Sequence, residues 1–223
     1  MKQPLWKRWL SYFFEFHIES TSSEHNDALH VVLSQGRYQL TTQNAIYSYA
    51  DLYTNYKLSF QRIDLEALNI QNVLILGFGL GSIPYMLERK FNKNYRYTAI
   101  EIDEEIIYLY NKYVADELSS PIEFICTDAK VFMDVNTEEY DMIIVDIFID
   151  DEIPVVFESE AFLQSIKDSL SPKGIVLYNR LAHFKKDRQL SEGFFKTTFS
   201  DVFPNATYLD VDGNYMLMNR SVE

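Results

Sequence analysis

One stretch of the chain, residues 73–82, constrains the fold more than any other. It reads V-L-I-L-G-F-G-L-G-S, four apolar residues followed by glycine at three alternate positions, Gly77, Gly79 and Gly81. A continuous apolar run before a glycine-rich turn is typical of a buried strand that leads directly into a helix. Such a turn brings backbone N–H groups and a helix N-terminus to a ligand. An NAD fingerprint would have its third glycine where this chain has Ser82, so the stretch alone does not decide which nucleotide-type cofactor is bound.

The strand-to-helix step recurs through the rest of the chain. After strand 72–77 and a helix at about 82–92, further apolar strands are predicted at 97–102, 122–126, 141–146 and 174–178, each followed by a helix. The chain then ends in two short strands joined by an Asp-Gly turn at Asp212, the signal of a hairpin. The pattern predicts an α/β, Rossmann-like methyltransferase fold with a mostly parallel doubly wound sheet that closes with an antiparallel hairpin.

The first 60 residues follow another pattern. Residues 3–14 have apolar positions at helical spacing and a basic side, which predicts an amphipathic helix that docks on the core or on a second subunit. Alternation at 16–19, 28–33 and 37–40 predicts a small antiparallel β unit, and 47–62 has the period of a helix. We therefore expect two domains, an N-terminal piece at 1–60 and a catalytic domain at 61–223.

Charge and cysteine content narrow the class of protein. The 223 residues carry a formal net charge of −13, with no compensating basic patch, which argues against nucleic-acid binding and suits a cationic partner. A single cysteine, Cys126, cannot form an intramolecular disulfide, so we expect a reducing, cytoplasmic location. The apolar runs are shorter than the roughly 20 residues of a spanning helix, and the histidines lack ligand spacing, so neither an integral membrane segment nor a metal site is expected.

Carboxylates stand at the ends of three successive predicted strands. Glu101 ends the second strand, where a carboxylate can accept both hydroxyls of a ribose. Asp128 follows the third strand and can accept a hydrogen bond from the exocyclic amine of adenine, or cap the next helix. Asp103, two residues after Glu101, is predicted to be a helix N-cap only.

The third of these carboxylates opens an acidic segment. Asp146 ends the fourth strand, and Asp150, Asp151 and Glu152 follow within seven residues. A cationic amine would be drawn to this segment, and a carboxylate there could take the proton as the nitrogen attacks. Asp146 and one of Asp150 or Asp151 are the candidates for that role.

Together these motifs resemble the spermidine synthase family over residues 27–180. The glycine stretch resembles that family's glycine motif, A-I-E-I-D its ribose-binding strand end, T-D-A its adenine-side motif and Y-D-M-I-I-V-D its strand into the catalytic loop. The resemblance implies that Gln39 and Tyr49 help to hold the donor and the amine, and that Asp150 stands for the second aspartate of the catalytic loop. The loop here, D-I-F-I-D-D-E-I-P, is one residue longer than the family's D-x-x-D-P-x-G-P and lacks its first proline and its glycine, and Ala50 replaces the usual His or Gln.

The resemblance implies a transferase that binds decarboxylated S-adenosylmethionine or S-adenosylmethionine and passes an aminopropyl group to a small amine such as putrescine. Gly77, Gly79, Gly81, Glu101 and Asp128 would hold the donor. One alternative is a small-molecule methyltransferase that uses S-adenosylmethionine, and another is a non-catalytic nucleoside-binding or scaffold homologue. A homodimer is expected from the apolar N-terminal helix and the β unit.

Overall fold

The computed structural model describes residues 3–42, 45–149 and 152–221. Within these ranges the strands are β1 Phe16–Thr21, β2 Leu29–Ser34, β3 Arg37–Thr41, β4 Ile46–Ser48, β5 Asn72–Leu76, β6 Arg96–Glu101, β7 Ile122–Cys126, β8 Tyr140–Val145, β9 Leu170–Leu181, β10 Thr207–Val211 and β11 Asn214–Met218. The helices are α1 Leu5–Leu10, α2 Thr54–Arg62, α3 Ser82–Phe91, α4 Glu104–Tyr113, α5 Ala129–Val135, α6 Glu160–Asp168 and α7 Lys185–Phe194; a π-helical segment, Phe195–Phe199, and one more turn, Ser200–Val202, follow α7.

The larger sheet has seven strands in the order β10-β11-β9-β8-β5-β6-β7. Its neighbours from β9 to β7 pair in parallel, whereas β11 is antiparallel to both β9 and β10. The prediction of a mostly parallel α/β sheet that closes with an antiparallel hairpin is confirmed. The order reverses at β5, the first strand of the sheet, so the crevice beyond the carboxyl ends of β5 and β8 is where this class of sheet binds its ligands.

The central strand β5 is buried on both faces. Val73 and Ile75 pack into the core on one side of the sheet, and Leu74 and Leu76 pack into the core on the other. All four side chains are fully buried, at 0% exposure. Each such side chain contributes on the order of 1.5–3 kcal/mol by leaving water, which is why a run of four apolar residues occupies the middle of the sheet.

The four-stranded sheet, in the order β1-β2-β3-β4, is antiparallel throughout and corresponds to the β unit expected near the N-terminus. Its apolar side chains, among them Leu29, Val31 and Leu40, belong to the same core as Val73 and Ile75. The two sheets therefore share one apolar interior, and α2 crosses the boundary expected at residues 60 and 61.

The helix predicted over 47–62 is wrong in its first half. Residues 46–48 form β4, a short 3₁₀ turn occupies Ala50–Leu52, and α2 begins only at Thr54. Ala50 has a φ of 46°, which interrupts a right-handed helix. The Tyr49 N–H donates instead to Ser82 Oγ at 2.8 Å, which ties this segment to the start of α3.

The N-terminal helix is shorter than predicted, and the chain does not bury its apolar side. None of the residues of α1 is buried; Leu5 is 85% exposed and Trp9 64%. Arg8 pairs with Glu117, which fixes the helix to the fold through its basic side. Docking on the core is therefore wrong for the apolar side, while docking on a second subunit stays a prediction. Across the described part of the chain, no helix combines the length and apolar character that crossing a bilayer requires.

Candidate active site

The glycine turn is shaped by backbone geometry that other residues adopt only with strain. Gly77, Gly79 and Gly81 have φ values of 84°, 57° and 74°. A Cβ on Gly77 would lie 2.3 Å from the carbonyl oxygen of Asp146, and one on Gly79 would lie 3.2 Å from that of Tyr47. The first two glycines therefore let the turn approach the end of β8 and strand β4.

Gly81 has a different role from the other two. It is the left-handed N-cap of α3, and a Cβ there would lie 3.0 Å from the Phe78 ring and 3.1 Å from the Tyr110 ring. Gly77 and Gly79 line the cavity described below, whereas Gly81 is not among the described residues that line it. The structure thus shows a packing role for Gly81, and its predicted approach to the donor stays a prediction.

A cavity of about 630 Å³ opens at the carboxyl ends of the parallel strands. Its wall carries one predicted residue from each of four neighbouring strands, in the spatial order β8, β5, β6, β7: Asp146, Gly77, Glu101 and Asp128. This volume lies in the range of small-molecule sites. The sheet therefore brings together the carboxylates that were predicted one by one from strand ends.

Glu101 is fixed by backbone donors. Its Oε2 accepts from the N–H groups of Phe78 and Gly79, both at 3.1 Å, and its Oε1 accepts from Asp103 N–H at 3.2 Å. Burial raises the pKa of this carboxyl, and the hydrogen bonds from Gly79, Asp103 and Phe78 oppose part of that rise. The side chain is held in one orientation at the edge of the glycine turn, as a ribose acceptor would need to be.

Asp128 caps a helix and also lines the cavity. Its Oδ1 accepts from Lys130 N–H at 2.7 Å and from Val131 N–H at 3.1 Å, which makes it the N-cap of α5. The same residue lines the cavity, so Oδ2 can serve a ligand while Oδ1 caps the helix. Cys126, two residues earlier, is exposed.

Asp146 is held by side chains. Asn179 Nδ2 donates to its Oδ1 at 2.8 Å. Burial raises the pKa of Asp146 to about 6, although the hydrogen bond from Asn179 and the nearby hydroxyl groups of Tyr53 and Tyr56 oppose the rise. In turn, burial and the neighbouring Asp146 carboxylate keep the pKa of both tyrosines well above the usual value. A carboxyl with a pKa near neutrality can accept a proton and release it again.

Asn179 was missed by the sequence reasoning. It lies near the end of β9, is 1% exposed and lines the cavity. Its Oδ1 accepts from Asn214 Nδ2 at 2.9 Å, so an amide chain runs from β11 through β9 to Asp146. The predicted strand at 174–178 stopped one residue short of it, and the strand-end rule that singled out Asp146 would have found it.

The wall beside Asp146 contains further polar groups that sequence reasoning did not assign. Tyr53 and Asn55 come from the start of α2, and Asp212 comes from the turn of the β10–β11 hairpin. Thr54 Oγ1 donates to Asp212 Oδ2 and links these two elements. This region therefore has a second carboxylate, and its neighbours are neutral hydrogen-bonding groups.

Four predicted residues remain to be placed: Tyr49, Gln39, Asp150 and Asp151. Tyr49 lines the cavity, and its hydroxyl donates to Ser34 Oγ at 3.0 Å. Gln39 is 6% exposed on β3 and is not among the described residues that line the cavity. Asp150 and Asp151 lie outside the described residues. Among the residues described, no group of three or more His, Cys, Asp and Glu side chains is placed to hold a metal ion.

Comparison with known proteins agrees with this geometry. A sequence model of the spermine/spermidine synthase domain matches residues 53–211, well over half of the chain. The chain belongs to the spermine/spermidine synthase family. The glycine turn and the strand-end carboxylates described above lie within the matched residues.

Comparison with individual proteins shows how similar the chain is to curated relatives and to solved structures. A probable polyamine aminopropyl transferase of Bifidobacterium longum is 27% identical over 65% of this chain and 31% of its own length. The chain spans about a third of the length of the curated relatives it matches. The structure of a probable spermidine synthase from Corynebacterium glutamicum superposes with a TM-score of 0.72 at 17% identity, over 90% of this chain and 78% of that one. Human methyltransferase-like protein 13, solved in complex with SAH, superposes with a TM-score of 0.56 at 22% identity, over 76% and 77%.

Proposed function

We propose that this protein is an aminopropyltransferase that uses decarboxylated S-adenosylmethionine as donor and a small amine such as putrescine as acceptor. The observation that carries the proposal is the order of Asp146, Gly77, Glu101 and Asp128 along four neighbouring strands around one cavity. Membership of the spermine/spermidine synthase family supports the reaction type. The name of the Bifidobacterium longum relative points to the same chemistry.

The donor side of the cavity fits a nucleoside. Glu101, held by three backbone N–H groups, would accept the ribose hydroxyls, and Asp128 would accept the adenine amine through Oδ2. Gly77 and Gly79 leave the turn without side chains where the sulfonium end of the donor would pass. Gly81 would contribute only by holding the turn in shape.

The other side of the cavity fits a cationic amine. Asp146 and Asp212 supply negative charge, and Tyr53, Asn55 and Asn179 supply neutral hydrogen-bonding groups. Tyr49, which lies in the cavity wall, is assigned to this side in the proposal, and the family resemblance assigns Asp150 to it as well. Gln39 would act on the donor from β3 only if that strand moved toward the cavity.

The transfer itself requires orientation and removal of one proton. The walls of the cavity would hold the neutral amine nitrogen in line with the carbon–sulfur bond of the donor's aminopropyl chain. The nitrogen lone pair forms the new C–N bond, the C–S electron pair stays on sulfur, and 5′-methylthioadenosine leaves. Asp146 would take the proton that the nitrogen loses and pass it to water, which a pKa near 6 permits at neutral pH.

A second candidate is a small-molecule methyltransferase that uses S-adenosylmethionine. The superposition on a methyltransferase-like protein solved with SAH supports it. The altered loop after Asp146, without the family's first proline and glycine, also favours a changed acceptor. The two donors differ by one carboxylate, which the carboxylates of Asp146 and Asp212 would repel, so the first candidate is favoured.

Isothermal titration calorimetry with decarboxylated S-adenosylmethionine, S-adenosylmethionine and 5′-methylthioadenosine tests the proposal, followed by product analysis with putrescine and a series of diamines. We expect tighter binding of the decarboxylated donor and an aminopropylated product. Methyl transfer from S-adenosylmethionine would support the second candidate. Binding without transfer of either group to any amine, or no binding at all, would leave a non-catalytic homologue. A homodimer and a cytoplasmic site of action stay predictions.

A further inference from the structure

Asp103 does more than cap α4. It is 1% exposed, and its Oδ1 accepts from Glu105 N–H at 3.0 Å, as an N-cap does. Its Oδ2 accepts from two side chains of another part of the fold, Ser23 Oγ at 2.5 Å and Asn26 Nδ2 at 2.6 Å. Both donors lie in the β1–β2 loop (residues 22–28), which belongs to the four-stranded sheet. One buried carboxylate therefore joins the two sheets of the molecule.

The β1–β2 loop is also ordered within itself. Ser23 N–H donates to the Asn26 carbonyl at 2.9 Å, and Ser23 Oγ accepts from the N–H groups of His25 and Asn26 at 3.2 and 3.0 Å. This turn presents His25 and Asn26 to the cavity, where both are lining residues. Ser23 is not among the described residues that line it, so its hydrogen bonds serve the shape of the loop.

The anchor lies beside the donor side of the cavity. Asp103 N–H donates to Glu101 Oε1, so the residue that holds the loop is also bonded to the carboxylate proposed for the ribose. A loop fixed at this position forms part of the cavity wall through His25 and Asn26. The cost of ordering the loop is then met in folding and does not weaken ligand binding.

We propose that Asp103 is a positioning residue which holds the β1–β2 loop against the donor nucleoside, and that His25 and Asn26 are donor-contacting residues. This inference rests on the proposed nucleoside donor and is independent of whether an aminopropyl or a methyl group is transferred. It gives the short N-terminal sheet a function in donor affinity, beyond its share of the apolar core.

The test compares Asp103→Asn and Ser23→Ala with the unmodified protein. In Asp103→Asn the amide oxygen still accepts from Glu105 N–H, because asparagine is a good N-cap, but the amide nitrogen cannot accept from the loop. Ser23→Ala removes one of the loop donors and leaves the cap intact. Ser23→Ala should weaken the binding of 5′-methylthioadenosine by about 10-fold, the effect of one lost hydrogen bond to a charged group, and Asp103→Asn, which loses both bonds from the loop, should weaken it by at least as much. The donor KM should rise by the same factor, and kcat at saturating donor should change by less than about twofold, since the reacting atoms are not touched.

The matched control is Asp187→Asn, which changes a carboxylate that accepts from Phe184 N–H at 2.9 Å in the first turn of α7. It should leave the affinity for 5′-methylthioadenosine unchanged. Equal weakening by the control, or full affinity in both loop variants, would overturn the inference and leave the proposed function intact. Absence of nucleoside binding in the unmodified protein would overturn both. Amide hydrogen exchange over residues 22–28 should be faster in both loop variants, and unchanged exchange would also count against the inference.

Discussion

The two sides of the cavity hold their carboxylates by different means. On the donor side, Glu101 and Asp128 accept five hydrogen bonds, all from backbone N–H groups within a turn or a helix start. On the amine side, Asp146 is held by the side chain of Asn179 and lies close to Tyr53 and Tyr56. Backbone donors are supplied by any sequence that makes the turn, whereas side-chain donors must be encoded one by one. The donor side can therefore stay constant while the amine side changes.

The difference also has an electrostatic consequence. Burial raises the pKa of both Glu101 and Asp146, and it raises that of Asp146 to about 6. Three backbone N–H groups stabilise the ionised form of Glu101 as a fixed hydrogen-bond acceptor. Asp146 keeps a protonated form within reach of neutral pH, which suits a group that exchanges a proton.

The largest expected effect is on kcat, from a substitution on the amine side of the cavity that should leave the donor side unchanged. Asp146→Asn keeps the shape of the side chain and removes the base, so kcat should fall by about 10²- to 10⁴-fold while the affinity for 5′-methylthioadenosine stays within about twofold. Steady-state kinetics and calorimetry measure the two quantities. The control is Asp141→Asn at the opposite end of β8, where the carboxylate accepts from Gln71 and Asn72 N–H groups. An unchanged kcat in Asp146→Asn would remove Asp146 from the reaction.

Glu101→Gln should show the reverse behaviour. Replacing a charged acceptor of the ribose by a neutral amide should weaken nucleoside binding by about 10- to 100-fold, and kcat at saturating donor should change by only a few-fold. Glu104→Gln is the matched control, because it removes the same charge only three residues further along the chain. Glu104 is exposed and is not among the described residues that line the cavity. If both variants bound the nucleoside equally well, the ribose assignment would be wrong.

Asn179→Ala should shift the pH dependence more than the maximum rate. The Asn179 hydrogen bond lowers the pKa of Asp146, so its removal raises that pKa further above its usual range. Because the ionised carboxylate is the base, kcat/KM should rise with pH through about 6 in the unmodified protein and only at higher pH in the variant. At pH 6 we expect a loss of about 10-fold, which becomes smaller as the pH rises. The control is Asn219→Ala, which removes an amide that accepts from Val176 N–H and donates to the Gly174 carbonyl on the same strand, β9. This variant should leave the pH dependence of kcat/KM unchanged.

The smallest expected functional effect belongs to Gly81→Ala. An alanine at this position would have to adopt a φ of 74° and would bring its Cβ against the Phe78 and Tyr110 rings. This strain should reduce the free energy of unfolding by about 1–3 kcal/mol, while the nucleoside affinity should stay within about threefold. Thermal or denaturant unfolding measures the first quantity. Gly193→Ala in α7 is the control, since a Cβ there would meet nothing within 4 Å. A large loss of affinity in Gly81→Ala at unchanged stability would restore Gly81 to the donor site.

The sequence predicts this molecule well wherever structure is set locally. Apolar strand runs such as Val73–Leu76, together with the glycines and carboxylates at the strand ends, place the sheet and the edge at which the cavity opens without further information. The prediction failed at 47–53, where the helical period of the aromatic residues is overridden by the positive φ of Ala50 and the contact of Tyr49 with Ser82. Contacts between distant segments, such as Asp103 with Ser23, were also out of reach, because each partner alone has an adequate local explanation.

The contact between Gly77 and Asp146 sets a limit on how this fold can diverge. The Cα of the donor turn lies so close to the Asp146 carbonyl that no side chain fits between them. In the proposed reaction, a mutation that opened this gap would move Asp146 relative to the carbon that is transferred. Tyr53, Asn55 and Asp212 line the same cavity from separate elements. Under the proposed function, substitution at these three positions would alter the fit of the amine while the distance between the glycine turn and Asp146 stays the same.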